Sequence, residues 1–294
     1  MQVDWKPVEK IDVIVEAAVG ECKTEARHNF LLAYEFPIKL LHSPFIEAHR
    51  DEALKWLGEE VPQDLRFTHG HYFRGERGIQ HVIEELKSKK TSRRALLSLI
   101  NMDTIIGSGD KAIPAFLLLQ FGIERDFLLV TAYFRALEVS RHLSINLTEI
   151  CLHCSRIVQE CGDIEKIRLL LLAFRAYYNE NHDVLKKPIL DQQKPAHVGA
   201  IVNGRQDIPQ IRAWLESKKV VETGILTEGL GHLVDALEFA KDKYSPAFVS
   251  NVKLALEYLR ALKELREQHS EGRILQEQTN KYLDKLDDAL RELS

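Results

Sequence analysis

Two long apolar runs separated by a short charged segment lie in the middle of the chain. The runs are Pro114–Phe121 and Phe127–Tyr133, and the segment between them contains Glu124–Asp126. Two β-prone runs joined by a short polar turn predict a β-hairpin. Because both runs are apolar on both faces, we expect their strands to lie in a covered sheet. A further buried strand is predicted at Ile167–Phe174.

Other segments of the first two thirds of the chain are shorter or follow a helical period. Apolar residues fall on one face of Gly78–Lys87, which predicts an amphipathic helix. A second helix is predicted at residues 147–160, where Gly162 follows as a C-terminal glycine. The segment Ile11–Val19 predicts an opening strand that ends at Gly20.

The pattern becomes helical from residue 208 onward. Apolar residues recur at helical spacing in Thr227–Tyr244, and Ser245–Pro246 begins another helix that reaches about residue 268. The last segment carries leucines at 3-4-3 spacing, from Leu283 to Leu293, a narrow stripe typical of helix packing within a bundle. This tail is either a bundle packed on the preceding domain or an appendage that binds a protein partner.

The boundary between the two regions is predicted within residues 186–207, where proline, glycine and polar residues concentrate. We therefore divide the chain into a first domain at residues 1–195 and a C-terminal helical region at residues 196–294. The predicted fold class is α+β, a sheet covered by helices, followed by an all-α region.

Composition narrows the functional classes. The chain has 294 residues, 45% of them hydrophobic and 29% charged, which is ordinary for a globular protein. A formal net charge of −4 gives no overall basic field that would attract nucleic acid. The first residues show no secretory signal, and the longest apolar run is far shorter than the roughly 20 residues of a membrane span. We expect a cytoplasmic protein that does not bind membranes.

The cysteines also favour a reducing compartment. Cys151 and Cys154 have the spacing of a metal or redox pair, but they lie in a segment of helical apolar period. Buried thiols on a helix face are the favoured interpretation, because free cysteine packs as a small hydrophobe. The chain offers no second pair to complete a zinc site, so we expect no metal.

Arginines suggest the chemistry of a site. Arg135 follows an apolar strand, and a buried guanidinium requires a partner. That partner is either the carboxylate of Glu138 or the anion of a ligand. Arg93 and Arg94 abut another strand-like segment, and paired guanidiniums suit a phosphate because each offers parallel donors.

Several short motifs in residues 50–190 occur in the same order and at similar spacings as the motifs of a known enzyme family. They are Gly70-x-x-Phe73-Arg74, Ser92-Arg93-Arg94, Pro114 with Gln120-Phe121, Arg135 with Glu138 and Asn146, and Arg175-Ala176-Tyr177. This arrangement resembles the core of thymidylate synthase and its nucleotide-hydroxymethylating relatives. The resemblance implies a thymidylate synthase-like sheet and a homodimer, in which Arg93 and Arg94 reach the partner's nucleotide phosphate.

The chain departs from the family at the reacting centre. Ala115 stands where the family has its nucleophilic cysteine, and Phe116 stands where a histidine follows it. The family's ribose-contacting histidine is Arg175 here, and its aspartate is Glu138. Alanine cannot add to a pyrimidine ring, so the fold is implied more directly than the reaction.

The resemblance also assigns the candidate site residues. The phosphate- or nucleotide-binding set is Arg93, Arg94, Arg135, Glu138, Asn146, Arg175 and Tyr177. Within it, Asn146 is expected to contact a pyrimidine edge and Tyr177 a ribose hydroxyl. His71, Phe73 and Arg74 form either a wall of the pocket or a polar aromatic loop.

Three functions follow from these residues. The first is a divergent, synthase-like protein that binds a nucleotide or another phosphate-bearing small molecule without methyl transfer. The second is a scaffold that uses the fold and its helical tail for protein partners. The third is an active one-carbon transferase acting on a pyrimidine nucleotide. No cofactor is expected except in the third case, which requires a reduced folate.

Overall fold

The computed structural model describes residues 3–106, 112–179, 186–204, 208–219, 224–240, 242–268 and 273–293. Their contacts divide the chain into two compact units. The first unit contains the described residues of Met1–Pro62, Phe67–Ile105 and Ile113–His182. The second unit contains those of Gln63–Arg66, Ile106–Ala112 and Asp183–Ser294.

A mixed sheet, seven-stranded in the described residues, forms the centre of the first unit. Its strands are β1 (Lys6–Pro7), β2 (Arg27–Pro37), β3 (Leu96–Ser98), β4 (Phe116–Glu124), β5 (Phe127–Phe134), β6 (Leu137–Glu138) and β7 (Lys166–Tyr177). The order across the sheet is β1-β2-β7-β5-β4-β3, and β6 also pairs with β7. The predicted hairpin is confirmed, because β4 and β5 pair antiparallel with Glu124 opposite Phe127. The strand predicted from the apolar run after residue 166 is confirmed as β7.

The two faces of this sheet differ in burial. On the inner face, Phe30, Ala173, Phe134 and Phe116 form one of several rows of buried residues. On the outer face, Leu31 remains 44% exposed and Tyr133 38% exposed. The prediction that the hairpin is covered on both faces is therefore wrong for the single chain. Alternate side chains of a strand point to opposite faces, and the helices of this unit cover only one.

In the described residues, the first unit contains six α-helices, which alternate with the strands along the chain. They are α1 (Asp12–Cys22), α2 (Pro44–Leu57), α3 (His69–Phe73), α4 (Glu76–Ser88), α5 (Met102–Ile106) and α6 (His142–Cys161). Buried residues of α1, α2, α4 and α6 join the inner face in one apolar core. The predicted helices near Gly78 and after residue 146 are confirmed as α4 and α6. Among the helices of the described residues, none has both the length and the apolar character that a membrane span requires.

The opening segment is helical, and its prediction as a strand is wrong. α1 continues through Gly20 to Cys22. Its residues Ile14, Ala18 and Cys22 are buried at intervals of four, which is the period of a helix face. An added Cβ at Gly20 would meet no atom within 4 Å, so this glycine is tolerated inside the helix.

The second unit is helical, as predicted for the C-terminal region. Its helices are α7 (Pro195–Asn203), α8 (Ile208–Ser217), α9 (Glu228–Phe239), α10 (Pro246–Gln268) and α11 (Arg273–Glu292), preceded by a 3₁₀ turn at Ile189–Gln192. Trp214, Phe248 and Tyr282 are almost fully buried in its core. Leu190 is buried in the same core, so the chain joins this unit before residue 195, where the sequence placed the boundary.

Candidate functional site

Arg135 lies directly after β5, at the end of the sheet where β4 begins. Its Nε donates to the carbonyl oxygen of Pro114 at 3.1 Å, and its Nη2 donates to that of Ile113 at 2.9 Å. Nearby protein atoms desolvate the guanidinium and lower its pKa from the usual value. No carboxylate among the described residues forms an ion pair with it. Arg135 is nevertheless exposed, so the prediction of a buried guanidinium is wrong, and solvent reaches the charge that the two carbonyl groups hold in place.

Glu138, the predicted carboxylate partner, has another role. Its Oε2 accepts hydrogen bonds from the backbone N–H groups of Arg141 and His142 at 3.0 and 2.9 Å. Its Oε1 accepts one from the backbone N–H of Ser140 at 2.6 Å. These groups lie at the N-terminus of α6, where a negative charge is favoured by the helix dipole. Glu138 caps α6, and its direct role toward a ligand stays a prediction.

Tyr177 and Arg175 lie at the end of β7, beside β6. The register pairs Glu138 with Tyr177. The Arg175 guanidinium is 5.3 Å from the centre of the Tyr177 ring. Tyr177 also acts electrostatically on Arg135, so the three side chains share one end of the sheet. Four members of the predicted set thus come together: Arg135, Glu138, Arg175 and Tyr177.

Arg93 and Arg94 do not join this group within one chain. They precede β3, and the carbonyl of Ala95 accepts a hydrogen bond from the Phe121 N–H. Arg135 instead donates its backbone N–H to Ala115, before the other end of β4. Six residues of strand separate Ala115 from Phe121, or about 20 Å. Both arginines are exposed, so any role at a shared site requires a second copy of the chain.

Asn146 belongs to a buried polar network on α6. Its Nδ2 donates to Oε1 of Glu149 at 3.4 Å, and Oε2 of Glu149 lies 2.7 Å from Nδ1 of His69. The His69 and Glu149 side chains are only 7% and 1% exposed. The described residues offer no hydrogen-bond partner to the other ring nitrogen of His69. A buried, oriented imidazole is therefore available to a ligand or a proton.

This network lies beside Phe116, the residue after Ala115. The His69 ring centre is 5.6 Å from that of Phe116, which directly follows Ala115. The Trp56 ring is 5.2 Å from His69 on another side. The indole N–H of Trp56 is buried without a hydrogen-bond partner among the described residues. Aromatic rings thus surround an imidazole and an unsatisfied N–H donor.

The predicted pocket wall is divided. His71 is exposed. Its backbone N–H donates a hydrogen bond to the hydroxyl of Thr68, and this hydroxyl caps the start of α3. Phe73 is buried, and its ring packs against that of His153 with centres 5.5 Å apart. Arg74 ends α3 in the left-handed conformation, with φ of 63°, and is exposed. Only Phe73 of these three points toward buried polar groups.

The cysteines of α6 are packed thiols with no sign of reactivity. Cys151 and Cys154 are buried on α6, which confirms the prediction of packed thiols. Burial raises the pKa of Cys151 to about 12 and that of Cys154 well above its usual value. Thiols in apolar surroundings are poor nucleophiles. The described residues contain no group of three or more His, Cys, Asp or Glu side chains placed to hold a metal ion.

His69 and Glu149 were missed by sequence reasoning. They are 80 residues apart, and no local pattern joins them. One signal was present, because Asn146, Glu149 and His153 recur at helical spacing among the apolar residues of this segment. The chain matches no protein-family model and no curated protein sequence.

Proposed function

We propose that the first unit binds a nucleotide or another phosphate-bearing small molecule at the end of the sheet near Arg135, without methyl transfer. The observation that carries the proposal is Arg135, an exposed arginine that is open to a ligand. Two carbonyl groups fix its guanidinium, and no carboxylate of the described residues pairs with it. A phosphate would balance that charge, and charge-assisted bonds to phosphate are among the stronger hydrogen bonds.

Two groups of the buried network beside Phe116 suit a nucleotide base. The amide of Asn146 and the imidazole of His69 can donate and accept hydrogen bonds, as recognition of a base edge requires. Tyr177 lies beside Arg135 and can bond a hydroxyl. Ala115 supplies no nucleophile, so binding without a covalent adduct is the outcome that these residues support.

A scaffold role is the second candidate, and a specific observation favours it. Arg135 fixes the carbonyls of Ile113 and Pro114, and Glu138 caps α6, so both side chains already have structural roles. In that case Arg135 would contribute to stability and not to ligand binding.

Two variants of Arg135 separate these candidates. Arg135→Gln removes the charge but retains an N–H donor for one carbonyl, whereas Arg135→Lys retains the charge. Calorimetric titration with deoxyuridine monophosphate, inorganic phosphate and uridine measures the affinity of each form. The proposal predicts that Arg135→Gln weakens phosphate-bearing ligands at least about tenfold, or 1.4 kcal/mol, and that Arg135→Lys weakens them less.

Thermal melts of the same samples provide the control. A bound ligand should stabilise the wild-type protein as its concentration rises above the dissociation constant. Equal affinities for wild type and Arg135→Gln, together with a lower melting temperature of the variant, would support the scaffold instead. Turnover of deoxyuridine monophosphate with a reduced folate would show that methyl transfer survives without a cysteine at residue 115.

We also infer that the first unit forms a homodimer through the outer face of its sheet. Leu31, Leu172 and Tyr133 are paired in register across three strands and form an apolar row on that face. Phe174 lies two residues further on the same face and is 56% exposed. A twofold interface would bury this row on both copies. It would also give Arg93 and Arg94 a route to the partner's site.

A further inference from the structure

A cavity of about 450 Å³ lies within the first unit, between α2, α4 and α6. Leu54 and Leu57 of α2, Ile79 of α4 and Leu152 of α6 contribute apolar walls. Cavities of this size hold small organic molecules, for which mostly apolar walls and a few polar groups are typical. None of the predicted phosphate- or nucleotide-binding residues lines it, but Phe73 of the predicted pocket wall does, and His69 acts electrostatically on His153 in the lining.

His153 is a buried histidine among the polar residues that line this cavity. Its side chain lines the space, and the residue is only 6% exposed. Neither ring nitrogen forms a hydrogen bond with a described residue. A buried polar group without a partner carries a desolvation cost that a bound ligand would remove.

The charges around the cavity disfavour an ionic ligand. Arg156 forms an ion pair with Glu76, and Arg50 forms one with Glu47 at 3.3 Å, so both guanidiniums of the lining are already neutralised. Burial and the nearby Arg156 lower the pKa of His153 to about 3, so its imidazole is neutral at physiological pH. A neutral imidazole carries one N–H donor and one acceptor nitrogen.

We propose that this cavity is a binding site for an uncharged heteroaromatic molecule that exchanges hydrogen bonds with His153. The flat ring system packs against the apolar walls, where burial of its surface contributes most of the affinity. Its N–H or ring nitrogen satisfies the imidazole. Hydrogen bonding to the neutral imidazole requires no charge on the ligand, and an anion is disfavoured because both guanidiniums of the lining are paired while Glu59 and Glu76 add negative charge.

Benzimidazole is a suitable probe, because it is flat, uncharged at mildly alkaline pH, and carries one N–H donor and one acceptor. Its anionic analogue, benzimidazole-5-carboxylate, tests the charge preference. Binding of both to the full chain is followed by NMR titration. We expect saturable binding of benzimidazole with one site per chain, and binding of the carboxylate at least about tenfold weaker.

Three variants locate the site. His153→Leu removes the hydrogen bonds and should weaken benzimidazole about tenfold, or 1.4 kcal/mol. His81→Leu is the matched control, because His81 is exposed on α4 outside the cavity. This variant should bind benzimidazole with the affinity of the wild type. Leu54→Trp changes a side chain that is 47% exposed and should fill the cavity, which abolishes binding.

The outcomes are distinct. Unchanged affinity in His153→Leu, persistent binding in Leu54→Trp, tighter binding of the carboxylate, or no saturable binding to wild type would each overturn the proposal. If His153→Leu does not fold, Leu54→Trp alone decides it. The result is independent of the Arg135 titrations, because benzimidazole carries no phosphate.

Discussion

A buried ion pair in the helical unit provides a sharp test of the structure. Nζ of Lys218 lies 2.7 Å from Oδ2 of Asp191, and the two side chains are only 4% and 2% exposed. Lys218 also donates to the carbonyl of Leu226 at 2.6 Å, and Asp191 accepts from the Gly229 N–H at 2.9 Å. Burial lowers the pKa of Lys218, although Asp191 partly offsets this effect. The pair joins the 3₁₀ turn before α7 to α8 and α9.

Asp191→Asn keeps the shape of the side chain but leaves the ammonium group buried without its counter-ion. Removing one partner of a buried pair costs about 3–5 kcal/mol. With a urea m-value of about 1.5 kcal/mol/M, a loss of 3 kcal/mol lowers the unfolding midpoint by about 2 M. Replacing both partners, as Asp191→Asn with Lys218→Met, should cost less than the sum of the single changes, since no buried charge is left alone.

Fluorine NMR of 5-fluorotryptophan-labelled protein measures the effect in one unit at a time. Trp214 is fully buried in the helical unit, whereas Trp56 is buried in the first unit. The Trp214 signal is followed through a urea titration, with the Trp56 signal recorded in the same sample. A midpoint shift below about 0.3 M for Asp191→Asn, or strictly additive single and double changes, would refute the reasoning.

Three further predictions test other parts of the structure. Native-state alkylation of Cys151 can be followed by mass spectrometry at neutral to mildly alkaline pH. Because the pKa of Cys151 is about 12, we expect it to react about a thousandfold more slowly than an ordinary thiol. Rapid labelling would contradict its burial. The folded pKa of His153, about 3, is below its unfolded value, so its stabilising contribution is complete above about pH 6.5 and is lost as the pH falls toward 3. Between pH 7 and 5, urea titrations should show the wild type losing about 2 kcal/mol more than His153→Leu, and an equal loss would reject this assignment. Sedimentation should show a dimer for the wild type and for Val13→Lys on α1, but a monomer for Tyr133→Lys on the outer face of the sheet; a dimer that survives Tyr133→Lys would exclude this interface.

The central hairpin could be predicted because its signals are local. Strand-prone runs and a charged turn occupy one continuous stretch, and Glu124 and Phe127 pair as the pattern indicates. The exposure of the outer face could not be read from the same stretch. Side chains such as Tyr133 are apolar whether they contact a helix, a second chain or solvent, so the pattern does not distinguish these environments.

The opening helix shows how composition can mislead. Ile11–Val19 is rich in β-branched residues, and Gly20 resembles a terminator. Its buried residues Ile11, Ile14 and Ala18 already have the spacing of a helix face, and Cys22 extends it. The prediction of a strand therefore gave more weight to residue type than to spacing.

The buried polar groups were the least predictable part. His69 and Glu149 meet only through the tertiary fold, and so do Asp191 and Lys218, which are 27 residues apart in the chain. The sequence did identify Arg135 as a residue in need of a partner. Glu138 was one of the two predicted partners of Arg135. Its carboxylate instead accepts hydrogen bonds from three backbone N–H groups at the N-terminus of α6.

The buried His69–Glu149 pair bears on the choice between binding and scaffold roles. A well-packed pair of hydrophobic residues would be as stable as a buried ionisable pair, or more stable, so stability alone does not account for it. The pair instead holds an imidazole in a fixed orientation beside Asn146 and Phe116, with one ring nitrogen unpartnered among the described residues. Such orientation has a use when a ligand occupies the space next to it. The network thus favours the proposed binding role over a purely structural one.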